Sequence, residues 1–218
     1  MLTFAVGVAI SPVPIIAVIL MLFSQRARVN GPVFLLGWVM ALSMVSAVVY
    51  LLCAAGEEAT STTTTETVSW GQVLLGVALL LLAARNWRSR PAPGEQPQMP
   101  RWLSGVESMK PGRALFLGLL LAGVNPKNLI LTVGAASGLA LLGLTTTQAV
   151  LSLIVFVVVA SATIAGPVVY YLVGGTRAQT ALENLRDWLT VHNNAVMAVL
   201  FLVFGASLIS KGLPGLGG

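Results

Sequence analysis

A lysine lies inside a long apolar stretch of this chain, directly after a proline. The stretch GVNPKNLILTVG, residues 123–134, belongs to an apolar run over about 114–142 and contains Asn125, Pro126 and Lys127. Proline removes a backbone N–H and frees carbonyls of the preceding turn, so we expect a broken helix here. The half-helix after Pro126 directs its N–H groups and positive dipole end toward the break. With Lys127 added, the pattern predicts an anion-binding site.

A related motif occurs near the start of the chain. AISPVPIIAVILML, residues 9–22, can be aligned with GVNPKNLILTVGAA, residues 123–136, and both place a polar residue before proline within an apolar run. The alignment puts Ser11–Pro12 on Asn125–Pro126 and Pro14 on Asn128. Prolines are also common in membrane helices, so a purely structural kink is an alternative interpretation. The candidate substrate-binding residues are Ser11, Pro12, Pro14, Asn125, Pro126, Lys127 and Asn128.

Two roles are open for Lys127. It follows Arg113 by fourteen residues, or about 20 Å of helix, whereas a lysine side chain reaches only about 6 Å toward the membrane surface. In an upright, continuous helix it would therefore remain within the membrane, although a re-entrant loop open to water would weaken that conclusion. Intramembrane ionisable residues usually mark functional sites. The alternative is a structural role in which the amine bonds the freed carbonyls.

The composition predicts that these motifs lie within a membrane protein. The chain is 56% hydrophobic and 9% charged, whereas soluble domains carry roughly 25% charged residues. Its apolar runs are long and continuous rather than alternating, which predicts transmembrane helices and leaves no length for a soluble domain. We read the N-terminal run as a first span rather than a cleaved signal peptide. The predicted fold is therefore all-α, with six spans over about 2–23, 31–55, 68–84, 114–142, 147–174 and 192–210.

Basic residues predict how the spans are oriented. Ten of the twelve Lys and Arg residues lie in the connections after spans 1, 3 and 5, whereas GEEATSTTTTET and LLGLTTTQ contain none. The positive-inside rule therefore places both termini outside and the basic connections in the cytoplasm. These ten residues are Arg26, Arg28, Arg85, Arg88, Arg90, Arg101, Lys110, Arg113, Arg177 and Arg186.

The two proline motifs also predict an internal repeat. Spans 3 and 6 resemble each other weakly around Gly76 and Gly205, and a unit of three spans must be followed by a second unit of opposite orientation. Inverted repeats of this kind recur in transporters, whose sites lie at the midplane on discontinuous helices. The predicted organisation is a first repeat over 1–84, a basic cytoplasmic linker over 85–113, a second repeat over 114–210 and a tail over 211–218.

Several classes of function lack the residues they need. All seven acidic residues fall in connections, so no span offers a carboxylate for a metal, an organic cation or a proton relay. Cys53 is the only cysteine, which excludes an intramolecular disulfide. No hydrolase or nucleotide-binding motif occurs, and the net charge of +5 reflects basic residues at span ends. We therefore expect no enzyme, no cofactor, no metal and no nucleic-acid partner.

Two other segments carry weaker predictions. Residues 176–192 form the pattern of an amphipathic helix with Ala181, Leu185, Trp188 and Leu189 on one face, typical of a connector on the membrane surface. The small residues of GAASGLALLG, residues 134–143, allow close helix approach and suggest a homodimer, although they could equally serve packing within one protomer.

The motifs also resemble a known family. GVAISPVPIIAVILMLFS, the following GPVFLLGW, and F-x-G-x-x-x-x-x-x-NPK over 116–127 resemble the lysine exporter (LysE) superfamily, most closely its GAP or sulfolipid-addressing protein family. The resemblance implies two inverted three-helix units, a bacterial plasma-membrane location and export of anionic cell-envelope lipids. It also implies that Pro12, Pro14 and residues 125–127 line the central site. The chain lacks the intramembrane carboxylates of the amino-acid and metal-ion exporters and the membrane cysteine pair of the thiol-redox members.

These observations favour a transporter that exports or flips an anionic envelope (glyco)lipid or its headgroup. Membrane lipids are the expected partners, and apolar tails would remain in the bilayer. Two alternatives stay open: an exporter of a small anionic solute such as an amino acid, whose carboxylate the same site could hold, and a non-transporting accessory protein of a lipid-export machine. Energy for transport would come from a gradient or from a partner protein.

Overall fold

The chain is all-helical wherever its structure is described. The computed structural model describes residues 1–57, 64–90, 105–106 and 108–213, and no strand occurs in these ranges. About half of the predicted linker, half of the connection GEEATSTTTTET and the last five residues of the tail lie outside them. The helices are α1 (Leu2–Ala9), α2 (Pro12–Leu22), α3 (Ala27–Glu57), α4 (Thr64–Arg88), α5 (Pro111–Gly123), α6 (Pro126–Ala140) and α7 (Thr146–Gly212).

Both predicted helix breaks are present. The first separates α1 from α2 with a bend of 49°, and the second separates α5 from α6 with a bend of 60°. Pro12 and Pro126 are the first residues of α2 and α6, where the missing N–H is tolerated because a helix's first N–H groups have no partner within it. We call these the first break and the second break. The prediction that helices 1 and 4 are broken at their proline motifs is confirmed.

Several helices are suited to cross a membrane. Ala27–Ala55, Thr146–Gly174 and Arg177–Ser210 are long and apolar enough, and the total reaches five if each bent pair counts as one span. Helix α4, which contains the third predicted span, is not among them in a search confined to the described residues. The chain is therefore a multi-pass helical membrane protein, while the sixth span and the orientation remain predictions.

Helix α3 shows why a lipid environment is required. Its inward face carries Phe34, Trp38 and Leu42, which are fully buried. Another face is also apolar and is exposed in the isolated chain, with large side chains spaced mostly four residues apart. A helix that is apolar on both its packed and its exposed faces is expected in a bilayer rather than in water. The exposed residues are Leu36, Met40, Met44, Val48, Leu51 and Leu52.

The chain forms two compact units. The first comprises Met1–Ala55 and Gln98–Leu189, and the second comprises Gly56–Pro97 and Thr190–Gly218. The first unit thus contains α1, α2, α3, α5, α6 and most of α7, and the second contains α4 and the end of α7. Each unit takes segments from both predicted repeats. The repeat boundaries themselves stay a prediction.

Within the first unit, α3 and α5 pack with their backbones in direct contact. A Cβ atom placed on Gly37 would lie 2.2 Å from the Leu115 carbonyl oxygen, and one on Gly118 would lie 2.3 Å from that of Phe34. Both distances are far below any van der Waals contact, so only glycine fits at either position. Gly118 is the glycine of the F-x-G pattern, and its contact with α3 places the second break.

Replacing Gly118 with alanine should therefore destabilise the protein. An overpacked core contact costs about 1–3 kcal/mol, which exceeds the gain of about 1 kcal/mol that alanine brings to a helix. Gly138→Ala is the matched control because a Cβ there meets nothing within 4 Å. Thermal unfolding in detergent should show a lower midpoint for Gly118→Ala and an unchanged or higher one for Gly138→Ala. Equal midpoints for the two variants would contradict the packing argument.

In the second unit, α4 and α7 meet through a reciprocal glycine pair. A Cβ atom on Gly76 would lie 2.8 Å from the Gly205 carbonyl oxygen, and one on Gly205 would lie 2.8 Å from that of Gly76. These are the two glycines around which spans 3 and 6 resemble each other in sequence. Their weak resemblance thus corresponds to one symmetric contact.

The predicted amphipathic segment is helical and lies within α7, whose bounds also include predicted spans 5 and 6. Of the predicted face only Leu189 is buried, while Leu185 and Trp188 are exposed. The protein-facing side is instead formed by Ala178 and Leu182. The segment therefore has two apolar faces, and the exposed one is available to lipid.

Candidate functional site

The first break leaves backbone carbonyls without their helical donors. In a continuous helix the N–H groups of residues 12 and 14 would bond the carbonyls of Val8 and Ile10, but both positions are proline. The N–H of Ser11, which would serve Gly7, instead donates to the Ala9 carbonyl at 2.8 Å. Since buried polar groups are costly when unpaired, the carbonyls of Gly7, Val8 and Ile10 need other donors.

Side chains from both halves of the chain supply those donors. The Lys127 amine donates to the carbonyl oxygens of Gly7 at 2.8 Å and Ile10 at 2.7 Å. The Ser11 hydroxyl lies 2.8 Å from the Val8 carbonyl and 2.9 Å from Asn128 Oδ1, and its single hydrogen can serve one at a time. All three freed carbonyls therefore have a donor within reach, and two of them depend on Lys127.

The second break is closed by asparagines. Asn125 precedes α6 as its N-cap, and its Oδ1 accepts a hydrogen bond from the Lys127 N–H at 3.1 Å. Asn128 Nδ2 donates to the Leu121 carbonyl in α5 at 2.9 Å, and its Oδ1 faces Ser11. Asn128 is fully buried and thus bonds α5 as well as the first break. Local capping and a long-range contact together fix the position of Lys127.

The predicted site residues divide into three groups. Ser11, Lys127 and Asn128 come together as a buried polar cluster. Pro12 and Pro14 act through the N–H groups they lack. Asn125 caps α6 and is only partly buried, and Pro126 is exposed at the helix start.

The electrostatic setting of Lys127 is unusual. Its side chain is 5% exposed, and its amine bonds only backbone carbonyls among the described residues. It sits at the C-terminal end of α1, where the helix dipole is negative and a cation is favoured. A lysine ammonium has three donors, and Gly7 and Ile10 use two of them. The third donor of the ammonium has no partner among the described residues.

Three further hydroxyls in the first unit escaped the sequence motifs. The Thr163 hydroxyl donates to the Ala9 carbonyl at 2.5 Å and so reaches the first break from α7. Thr132 and Ser161 are buried, and their hydroxyls have no partner among the described residues. Thr132 follows Asn128 by four residues and lies on the same face of α6. That spacing, and the polar SAT segment 161–163 within an apolar run, are the signals that could have revealed them.

The described residues contain no group of three or more His, Cys, Asp or Glu side chains that could hold a metal ion. Cys53 is a free thiol. The chemistry of the cluster is instead that of one cation with hydroxyl and amide groups.

Fold and site together define a multi-pass helical membrane protein in which a lysine from one broken helix is held by the backbone of another. The model of a family described as Sap, sulfolipid-1-addressing protein, matches residues 1–214. The chain belongs to this sulfolipid-1-addressing protein family. No curated protein and no solved structure gives a significant match. The family resemblance seen in the sequence is thus confirmed, while membership of the wider LysE superfamily remains a prediction.

Proposed function

We propose that this protein is a transporter that exports or flips an anionic cell-envelope lipid, or its headgroup, across the bacterial plasma membrane. The observation that carries the proposal is a buried lysine amine bonded only to backbone carbonyls among the described residues. No carboxylate occurs in any apolar run to neutralise this charge. An anionic headgroup supplies the missing counter-charge. The family's description, which refers to a sulfolipid, agrees with a sulfate or similar anion as substrate.

The geometry suggests how binding leads to movement. A charged oxygen forms a stronger hydrogen bond with an ammonium group than a neutral carbonyl does. An arriving headgroup therefore competes with the carbonyls of Gly7 and Ile10 for the Lys127 amine. Once Lys127 turns toward the anion, those carbonyls lose their donor, and the end of α1 is released from α6. Lys127 thereby links headgroup binding to a change at the first break.

We place this site in an inverted repeat of two three-helix units, with six spans, both termini outside and the basic connections in the cytoplasm. Three observations support the repeat: the two breaks, the reciprocal contact of Gly76 with Gly205, and the contribution of both halves to each compact unit. Transporters built this way alternate access by moving one element against another around a fixed midplane site. The lipid tail remains in the bilayer against the exposed apolar faces.

A second candidate function follows because each freed carbonyl at the first break already has a hydrogen-bond donor. If Lys127 serves only to satisfy Gly7 and Ile10, the site needs no ligand, and the protein acts as an accessory of a lipid-export machine. Export of a small solute such as an amino acid is a third candidate, because a carboxylate fits the same amine. The three candidates differ in what the isolated protein does to a lipid.

The test is lipid movement by purified protein in vesicles. Vesicles containing fluorescent phosphatidic acid or fluorescent phosphatidylcholine are treated with an impermeant quencher, and slow loss of the protected signal reports flipping. We expect the protein to accelerate the flipping of phosphatidic acid at least about tenfold more than that of phosphatidylcholine. A factor of this size is expected from one charge-assisted hydrogen bond. Equal, slow rates for both lipids would reject the transporter and favour the accessory role. Uptake of radiolabelled lysine without lipid flipping would favour the solute exporter.

A further inference from the structure

A cavity lies in the first unit, lined by none of the residues of the cluster around Lys127. Its volume is about 440 Å³, within the range of small-molecule sites. It opens between the turn that joins α2 to α3 and the residues that precede α5. The lining residues are Phe23, Ser24, Gln25, Arg26, Ser108, Met109 and Lys110.

The cavity is positively charged. Arg26 and Lys110 line it from two distant segments of the chain, and no acidic side chain is among its described lining residues. Arg186 adds a guanidinium 5.8 Å above the ring of Phe23, but it is paired with Asp187 at 2.8 Å. Among the described lining residues, the positive charge of the cavity therefore comes from Arg26 and Lys110.

The backbone adds to this charge. The carbonyl of Arg26 accepts from the Asn30 N–H and that of Lys110 from the Ala114 N–H, so each cation occupies the position that opens a helix. Both helices therefore begin at the wall of the cavity, and a helix N-terminus is a favourable position for an anion. Asn30 is fully buried, donates from Nδ2 to the Met109 carbonyl at 2.9 Å, and keeps Oδ1 without a described partner. It ties the two walls of the cavity together.

We infer that this cavity binds the phosphate or sulfate headgroup of an anionic lipid on the basic side of the membrane, before the headgroup reaches Lys127. The inference rests on the proposed function for the order of events, whereas the binding itself depends only on the cavity. A tetrahedral oxyanion would be bound by the two cations, which come from separate segments of the chain. The polar side chains of the lining and the two helix starts also favour an anion. A free phosphate ion shares this chemistry, so the test separates the two sources.

The test measures binding of dihexanoyl phosphatidic acid and of inorganic phosphate to the purified full-length protein. Removing both cations in Arg26→Gln/Lys110→Gln should weaken binding of the lipid about tenfold or more. Arg28→Gln/Arg90→Gln removes the same charge from exposed positions outside the cavity and should change binding less than about twofold. Arg26→Lys/Lys110→Arg keeps both charges and should retain binding. Retained binding would show that substitution at these two positions does not by itself unfold the protein.

Three results would overturn the inference. Equal weakening in both Gln pairs would indicate a diffuse surface charge rather than a site. Equal affinity for phosphate and for dihexanoyl phosphatidic acid would reject the lipid and leave a free-anion site. Normal lipid flipping by the cavity variant despite lost binding would remove the cavity from the transport path.

The proposed function can fail separately. Lys127→Ala should lose flipping yet bind dihexanoyl phosphatidic acid in the cavity as the wild type does. If Lys127→Ala instead keeps flipping lipid while the cavity variant loses binding, the proposed anion site at Lys127 is refuted. The proposed headgroup site in the cavity is then still supported.

Discussion

Replacement of Lys127 by alanine is expected to abolish export of the anionic lipid while the protein still inserts into the membrane. The variant loses the cation that meets the headgroup, and it also leaves the Gly7 and Ile10 carbonyls without donors. Each unpaired buried carbonyl costs about 1–3 kcal/mol, so thermal stability should fall as well. The readout is the amount of candidate lipid in the outer envelope of a deletion strain, at matched protein levels.

Lys127→Gln separates the two roles of the residue. A glutamine amide offers two N–H donors for the carbonyls but carries no charge. We expect this variant to recover part of the stability lost in Lys127→Ala and to remain inactive, whereas Lys127→Arg should retain some transport because charge is kept. Arg177→Gln, which removes one exposed charge, is the control and should export normally. Full export by the Gln variant would refute the anion site and leave Lys127 as a structural residue.

The second large effect is expected when Pro12 and Pro14 are both replaced by alanine. The change returns the N–H groups that a continuous helix would donate to Val8 and Ile10, so Ile10 no longer needs the lysine. The first break should straighten, and Lys127 should lose part of its anchorage. Export should fall at least about tenfold, since a small displacement of a positioning group commonly has effects of that size or larger.

The stability of combined variants provides the sharper readout. If Pro12→Ala/Pro14→Ala supplies the missing donors, it should restore part of the thermal stability lost in Lys127→Ala without restoring export. Pro32→Ala, within α3, is the matched proline control and should have no such effect. Additive losses of stability in the combined variant would show that the prolines and Lys127 do not share the same carbonyls.

The positions of the breaks could be predicted because the chemistry of proline is local. Which N–H is missing, and therefore which carbonyl is freed, follows from the residue numbers alone. The donor that replaces it could not be predicted, because Lys127 reaches Ile10 across 117 residues of sequence. Its bonding to freed carbonyls was one of two open roles, and only the packing of α1 against α6 shows that the bonds form.

Other parts of the site depended on tertiary contacts that periodicity does not encode. Asn128 was aligned with Pro14, yet it bonds Ser11 and the second break rather than repeating the role of proline. Thr163 was hidden in an apolar run until α7 brought it to Ala9. The predicted connector is itself helical, since nothing from Arg177 to Thr190 is a proline or glycine that would end a helix.

The long-range bonds of Lys127 have a consequence for synthesis of the protein. Ile10 is translated 117 residues before its donor, an interval of roughly 6 to 23 s at typical rates of elongation. Throughout that interval the first break exists without the amine that later bonds its carbonyls. Since buried polar groups are costly when unpaired, the carbonyls of Gly7 and Ile10 must be bonded by water or another partner until Lys127 is made. The ribosome therefore delivers the N-terminal half in an unfinished state, and maturation of that half waits for residue 127.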